Sequence, residues 1–149
     1  MSHVNELIDA IGLRLKELYP DTPVASEEAE QIKAEDLPYF FVMITAGEAG
    51  RILRDEYGYK NTVAVDYEVR PDTPKKHEHL NNIAESLITG LENVKDTKGR
   101  PFHAIQNSQS YEMIGNFIRF TVSYEYKVLV VKTRAELMRE QDLKSRITR

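Results

Sequence analysis

The chain has no cysteine, and this absence removes several kinds of chemistry at once. It excludes disulfide bonds, thiolate metal sites and a cysteine nucleophile. Long hydrophobic runs are also lacking, because no apolar stretch approaches the ~20 residues that a membrane-spanning helix needs. The first six residues show neither the basic nor the apolar segment of a signal peptide. We therefore expect a soluble, intracellular protein without a membrane partner.

Charge is unevenly distributed along the chain. Residues 132–149 contain six basic and three acidic side chains, a net charge of +3, so the whole-chain charge of −4 leaves −7 on residues 1–131. Opposite charges favour docking of this tail on its own or a neighbouring body, and the alternative is a solvated, frayed terminus. We expect one domain over residues 1–131 and a basic C-terminal extension, helical or mobile, over residues 132–149.

The strongest pattern in the sequence is the alternation from Ile118 to Val130. Successive side chains of a strand point to opposite faces, so this segment predicts a strand with one apolar and one polar face. Such a strand is typical of an antiparallel sheet that is covered on one side only. The polar positions Arg119, Glu125 and Lys127 would then face away from the core.

The remaining patterns predict two helices and four further strands. Apolar stripes with helical spacing run from Val4 to Leu18 and from Leu80 to Leu91. Strands are expected at residues 23–26, 39–45, 62–70 and, more weakly, 102–113. The charged stretch Gly47 to Lys60 is expected to be a long loop. The predicted fold class is α+β, in the order α-β-β-β-α-β-β plus the C-terminal tail, with two helices packed on one face of a mostly antiparallel sheet.

No spacing in the sequence favours catalysis. His77 and His79 lie two residues apart, which places them on different faces of a helix, and a solvated first turn is the alternative to a metal pair. Asp66 and Glu68 share one strand face, where a general acid/base pair competes with ordinary solvent-facing carboxylates. No glycine-rich phosphate loop is present. We expect neither an enzyme nor a bound cofactor or metal.

Several segments carry a resemblance to a known family. They are the segments 5–20, 23–28, 40–44, 63–67, 82–87 and 120–128. Over about residues 5–131 the chain resembles the small tail-terminator (tail-completion) proteins of Gram-positive phages and prophages. The resemblance implies a structural virion assembly protein that forms a ring, commonly a hexamer, on the head-proximal end of the tail tube. Such a ring ends tube polymerisation and provides the head-joining surface.

The resemblance also implies the partners. These are further copies of the chain, the tail-tube protein and the head-connector protein, with DNA only passing through the ring lumen. The protein would be found in the host cytoplasm during assembly and then in the virion tail. We expect subunit contacts from charged side chains, namely Arg51, Arg54, Arg119, Glu125, Lys127, Arg134 and Arg139. A small non-enzymatic protein-binding adaptor of similar α+β plan is the alternative, and a small hydrolase is a third hypothesis.

Overall fold

Two helices and seven strands make up the part of the chain that the computed structural model describes, residues 2–26 and 37–129. The helices are α1 (His3–Leu18) and α2 (Lys76–Gly90). The strands are β1 (Val24–Ser26), β2 (Tyr39–Leu53), β3 (Glu56–Glu68), β4 (Asn93–Lys95), β5 (Pro101–Ala104), β6 (Ser110–Ile114) and β7 (Phe117–Leu129).

All seven strands belong to one sheet in the order β1-β2-β3-β7-β5-β4, with β6 also paired to β7. Strand β1 runs parallel to β2, and the other pairs are antiparallel. The predicted α+β fold class is wrong: 47% of the described part is strand, in a curled mixed sheet accompanied by two helices. Long strands twist as they extend, which curls a sheet of this kind.

The predicted order of elements fails after α2, where the chain has four strands instead of two, and the loop predicted between β2 and β3 is also wrong. The expected loop Gly47 to Lys60 is instead paired strand on both sides of a two-residue connection, Arg54–Asp55. Its alternation is masked by glycines and by register shifts after Ile44 and after Arg51. The weak strand expected at 102–113 is two separate strands, β5 and β6, and the short β4 was not predicted.

The two helices start in different ways. In α1 the hydroxyl of Ser2 accepts a hydrogen bond from the backbone N–H of Asn5 at 3.3 Å and so caps the helix N-terminus. Helix α2 begins after Lys75, which has a left-handed φ of 50° and no side-chain cap. Thr73, in the turn before α2, donates its hydroxyl to the carbonyl of Arg70 at 2.7 Å.

The core lies between the helices and one face of the sheet. The alternation predicted for β7 is confirmed, because its even-numbered residues from Ile118 to Val128 are buried. Tyr124 is 0% exposed and donates its hydroxyl to the carbonyl of Leu91. Burial raises the pKa of this hydroxyl above its ordinary value. No helix within residues 2–26 and 37–129 is both long and apolar enough to cross a membrane.

Candidate subunit interface

The ends of three neighbouring strands pair with one another at one end of the sheet. We call this region the arm: residues 45–53 of β2, 56–60 of β3 and 125–129 of β7. Every residue from Thr45 to Leu53 is exposed. The backbone of the arm is nevertheless regular, because β3 pairs with β2 on one side and with β7 on the other. The β2 part of the arm is therefore paired strand that buries little of its own surface, whereas Tyr126 and Val128 in the β7 part are buried in the core.

One face of the arm carries an alternating row of charges. Glu48 lies opposite Lys60, and Lys60 lies opposite Glu125, so one cation stands between two carboxylates. Near the tip, the ammonium group of Lys127 is 3.5 Å from the carboxylate of Glu56. Opposite charges directly across strands contribute roughly 0.2–1 kcal/mol each. These side chains lie on the outer face of the sheet, which is the face opposite the core.

Two glycines open a shallow groove beside this charged row. Gly50 of β2 lies directly opposite Gly58 of β3. A Cβ atom added at Gly58 would lie 3.0 Å from Cδ1 of Ile52, so the absence of a side chain lets Ile52 lie against the backbone. The groove has a volume of about 450 Å³ and is also lined by Lys60 and Glu125.

Large apolar side chains are exposed at the tip of the arm. Ile52 is 50% exposed, Leu53 is 64% exposed and Leu129 is 70% exposed. Leu53 and Leu129 flank Glu56 in one cross-strand row. In the described part of the chain the other exposed large apolar residues are Tyr111 and Ile114 on β6, and Leu13 on α1. Exposed apolar groups that cluster in this way mark contact surfaces.

A buried hydrogen bond fixes the base of the arm. The hydroxyl of Tyr126 donates to Oδ1 of Asn61 at 2.6 Å, and Asn61 is only 3% exposed. The ring of Tyr126 stacks on that of Tyr59 with centroids 5.5 Å apart and planes at 8°. Burial raises the pKa of Tyr126 to about 12.

Arg100 connects the base of the arm to the rest of the domain. Its guanidinium lies 5.3 Å from the ring centre of Phe102 and 5.5 Å from that of Tyr126. It donates to the carbonyl of Lys127 at 2.7 Å and lies 3.5 Å from the carboxylate of Glu6 on α1. Together these contacts set the direction in which the arm leaves the core.

The other end of the outer face is organised around an ion pair. Arg119 donates through two nitrogens to the two carboxylate oxygens of Asp66, at 2.8 and 2.9 Å. The guanidinium also lies 5.7 Å from the ring centre of Phe117. The hydrogen bonds to Asp66 raise the pKa of Arg119. Arg119 is therefore committed to a contact within its own chain.

The structure places three of the seven predicted interface residues on the arm, namely Arg51, Glu125 and Lys127, and Arg54 in the connection between its strands β2 and β3. Arg119 is eight positions along β7 from Lys127, or about 26 Å at ~3.3 Å per residue. The guanidinium of Arg51 donates to the hydroxyl of Tyr57 at 3.0 Å. The remaining two predicted residues, Arg134 and Arg139, lie outside the described residues.

Sequence reasoning missed the apolar residues of this surface. Ile52 and Leu53 are adjacent apolar residues within a charged, glycine-containing stretch, and that contrast was the available signal. Tyr111 was assigned to the single weak strand predicted at 102–113 and Ile114 lies just after it, so the exposure of these two residues was not predicted.

The residues considered for catalysis have structural contacts instead. Nε2 of His79 is 2.9 Å from the hydroxyl of Tyr67, and His77 lies against Met113. Glu68 accepts a hydrogen bond from Tyr39 at 2.8 Å. Burial and this hydrogen bond raise the pKa of Tyr39 to about 12. Among the described residues, no group of three or more His, Cys, Asp or Glu side chains is placed to hold a metal ion.

Comparison with known proteins gives one family. A sequence model described as phage tail terminator protein matches residues 6–136. No curated protein matches the chain. A solved structure that bears no functional name is similar at 18% identity with a TM-score of 0.45, covering 89% of this chain and 100% of that one.

Proposed function

We propose, from the premise that this chain belongs to the phage tail terminator family, that it assembles as a hexameric ring on the head-proximal end of the tail tube. The observation that carries the proposal is the family match over residues 6–136, which spans all seven strands. Family membership makes the protein a structural component of a phage tail. The ring, its position and its role in ending tube growth are the proposal.

The surfaces of the arm support a protein that acts by binding other protein subunits. A ring that binds a tube end stops growth because it offers the next tube subunit a surface unlike the tube's own end. Such a protein needs extended complementary surfaces, and the arm supplies exposed strand, charged rows and apolar side chains. Head-to-tail interfaces between identical subunits close into a ring when the rotation between neighbours is right.

The opposite side of the ring would meet the head connector, and DNA would pass through the lumen. Residues 1–131 carry a net charge of −7, the remainder after the +3 of residues 132–149 is taken from the total of −4. A negative body repels phosphate groups. A lumen built from this surface would let DNA pass without retaining it. Assembly would take place in the host cytoplasm before the ring becomes part of the virion.

The basic extension 132–149 is proposed as a second contact. Arg134 and Arg139 would dock on an acidic surface of a neighbouring subunit, because the body that they meet carries the opposite charge. Charge pairing of this kind weakens as salt screens it.

The proposed function is tested by tube assembly in vitro. Tail-tube protein from the same phage would be polymerised with and without this chain, and tube lengths would be measured by electron microscopy. The proposal expects short tubes with a ring at one end that do not grow when more tube protein is added. Unlimited growth with no ring at either end would contradict it. Binding to another partner as a monomer, with no effect on tubes, would support the adaptor alternative.

A further inference from the structure

Several strand edges in the described part of the chain have no strand partner. Those of β1 and β4, at the two ends of the sheet, are three residues long, and longer ones belong to β2 and β6. Strand β1 pairs with β2 at Phe40, Phe41 and Val42, so among the described residues the edge of β2 from Met43 to Leu53 has β3 on one side and no strand on the other. Within the same residues, β6 (Ser110–Ile114) pairs only with β7. Unpaired strand edges present rows of N–H and C=O groups that are ready to bond to another strand.

Exposed apolar side chains lie at the unpaired edges of β2 and β6. Ile52 and Leu53 belong to the free stretch of β2, and Leu129 lies in the same cross-strand row as Leu53. Tyr111 and Ile114, 50% and 36% exposed, belong to β6. A soluble monomer normally blunts its free edges with charges, short strands or covering segments. Apolar groups at both edges indicate surfaces that become buried in an assembly.

We propose that neighbouring copies of this chain join by strand addition, with the free edge of β2 on the arm of one copy pairing with β6 of the next. This inference rests on the proposed ring and deepens it by naming the surfaces. A ring requires two different surfaces on each subunit, and β2 and β6 lie on opposite sides of the β3–β7 pair. Pairing of two β2 edges would instead be self-complementary and would stop at a dimer.

Strand directions are compatible with this junction. Strands β2, β3, β7 and β6 alternate in direction, because each neighbouring pair is antiparallel. In a ring of identically oriented copies, β6 of one copy and β2 of the next therefore meet antiparallel. The sheet continues across the junction without a reversal of its pattern.

The edges of β2 and β6 are also offset from each other along the strand direction, and the size of this offset suits closure of the sheet into a ring. Strand β6 lies beside residues 117–121 of β7, whereas the arm edge of β2 lies level with residues 123–129. If the two edges pair, each copy is displaced along the strand direction by about six residues relative to its neighbour. Each copy contributes four strands, β2, β3, β7 and β6, so the displacement is roughly 1.5 residues per strand. At ~3.3 Å per residue and ~4.8 Å between strands, this shift corresponds to a strand tilt of about 45°. Closed barrels have strand tilts of roughly 35–45°.

Chemical cross-linking tests the junction, and the absence of native cysteine gives a clean background. Glu48→Cys and Glu112→Cys would be introduced together, because both residues are exposed on the outer face at the two edges. A short bismaleimide, which tolerates a register shift of one or two residues, would be added to the full chain alone and on tail tubes. The proposal expects a covalent ladder that extends to the size of the ring.

Each single-cysteine chain should give no ladder, and a mixture of the two single-cysteine chains should give covalent dimers. Leu13→Cys combined with Glu112→Cys is the matched control, because Leu13 is exposed on a helix, α1, and not on a strand edge. Dimers from Glu48→Cys alone would reveal β2–β2 pairing and overturn the proposal. A wild-type ring whose edge variants fail to cross-link would overturn the junction but not the ring. A wild-type chain that stays monomeric, alone and with tubes, would overturn both.

Replacement of an apolar edge residue gives an independent test. Leu53→Lys places a charge at the proposed junction, where lysine opposes strand addition. Because Leu53 is 64% exposed, folding should be unaffected. We expect subunit association to weaken by about tenfold or more, whereas Leu13→Lys should leave it within about twofold. Equal effects of the two substitutions on association, measured by analytical ultracentrifugation, would contradict the junction.

Discussion

The hydrogen bond at the base of the arm gives a prediction whose size follows from burial. Tyr126→Phe removes one hydroxyl and leaves the ring contacts in place. Oδ1 of Asn61 then loses its 2.6 Å donor inside a site where Asn61 is 3% exposed and Tyr126 is 7% exposed. A buried polar group without a partner costs roughly 1–3 kcal/mol. For a chain of this size, each kcal/mol lowers the melting temperature by about 2–4 °C.

Urea and thermal unfolding, followed by circular dichroism, would measure this loss. The matched control is Tyr111→Phe, because Tyr111 is 50% exposed and the substitution removes the same hydroxyl from a solvated site. We expect that control to stay within about 0.5 kcal/mol of the wild type. If Tyr126→Phe were as stable as Tyr111→Phe, the claim that a buried polar contact anchors the arm would be refuted.

Three further predictions concern alkaline pH, the outer face and the tail. The pKa values of Tyr39 and Tyr126 are raised to about 12, from 10.0, so the folded state holds these protons more tightly than the unfolded chain. Their contribution to the free energy of unfolding is complete below pH 10 and is lost as the pH rises through about 12. A free energy of unfolding that stays constant from pH 10 to about 12 would contradict this prediction. Asp66→Asn should lower the free energy of unfolding by less than about 1 kcal/mol, because the Arg119 side chain is 36% exposed and solvent screens the ion pair. A loss above about 2 kcal/mol, measured by urea unfolding, would contradict this screening. Deletion of residues 132–149 should weaken oligomers more at low salt than at high salt, and light scattering that finds unchanged oligomer size would reject a docking role for the tail.

Local patterns predicted the elements whose environment is one-sided. The alternation of β7 and the helical stripe of α1 were readable because each element buries one face and exposes the other. In each case the residues of one segment were enough to predict the element.

The arm was not predictable in the same way. Thr45 to Leu53 are exposed on both faces, so no alternation between apolar and polar residues marks them as a strand. Their strand conformation comes from pairing with β3, which is in turn held by β7. The parallel pairing of β1 with β2 also depends on tertiary contacts, and the sequence contains no local sign of it.

The predicted interface residues stay a prediction. They are all charged, and three of the seven, Arg51, Glu125 and Lys127, lie on the arm. The apolar edge residues Leu53 and Tyr111 were missed, because an apolar residue in a sequence is normally assigned to the core. Recognition of the two free edges required the strand order, which places β2 and β6 on opposite sides of the β3–β7 pair.

The mass of the assembly shows whether the chain forms a closed ring of six subunits. Native mass spectrometry of the full chain, alone and after release from tail tubes, would measure subunit number without any substitution. We expect one closed species of about six times the chain mass of 17.2 kDa, with no open series of larger oligomers. A strict monomer under both conditions, or a continuous series without a closed species, would contradict it.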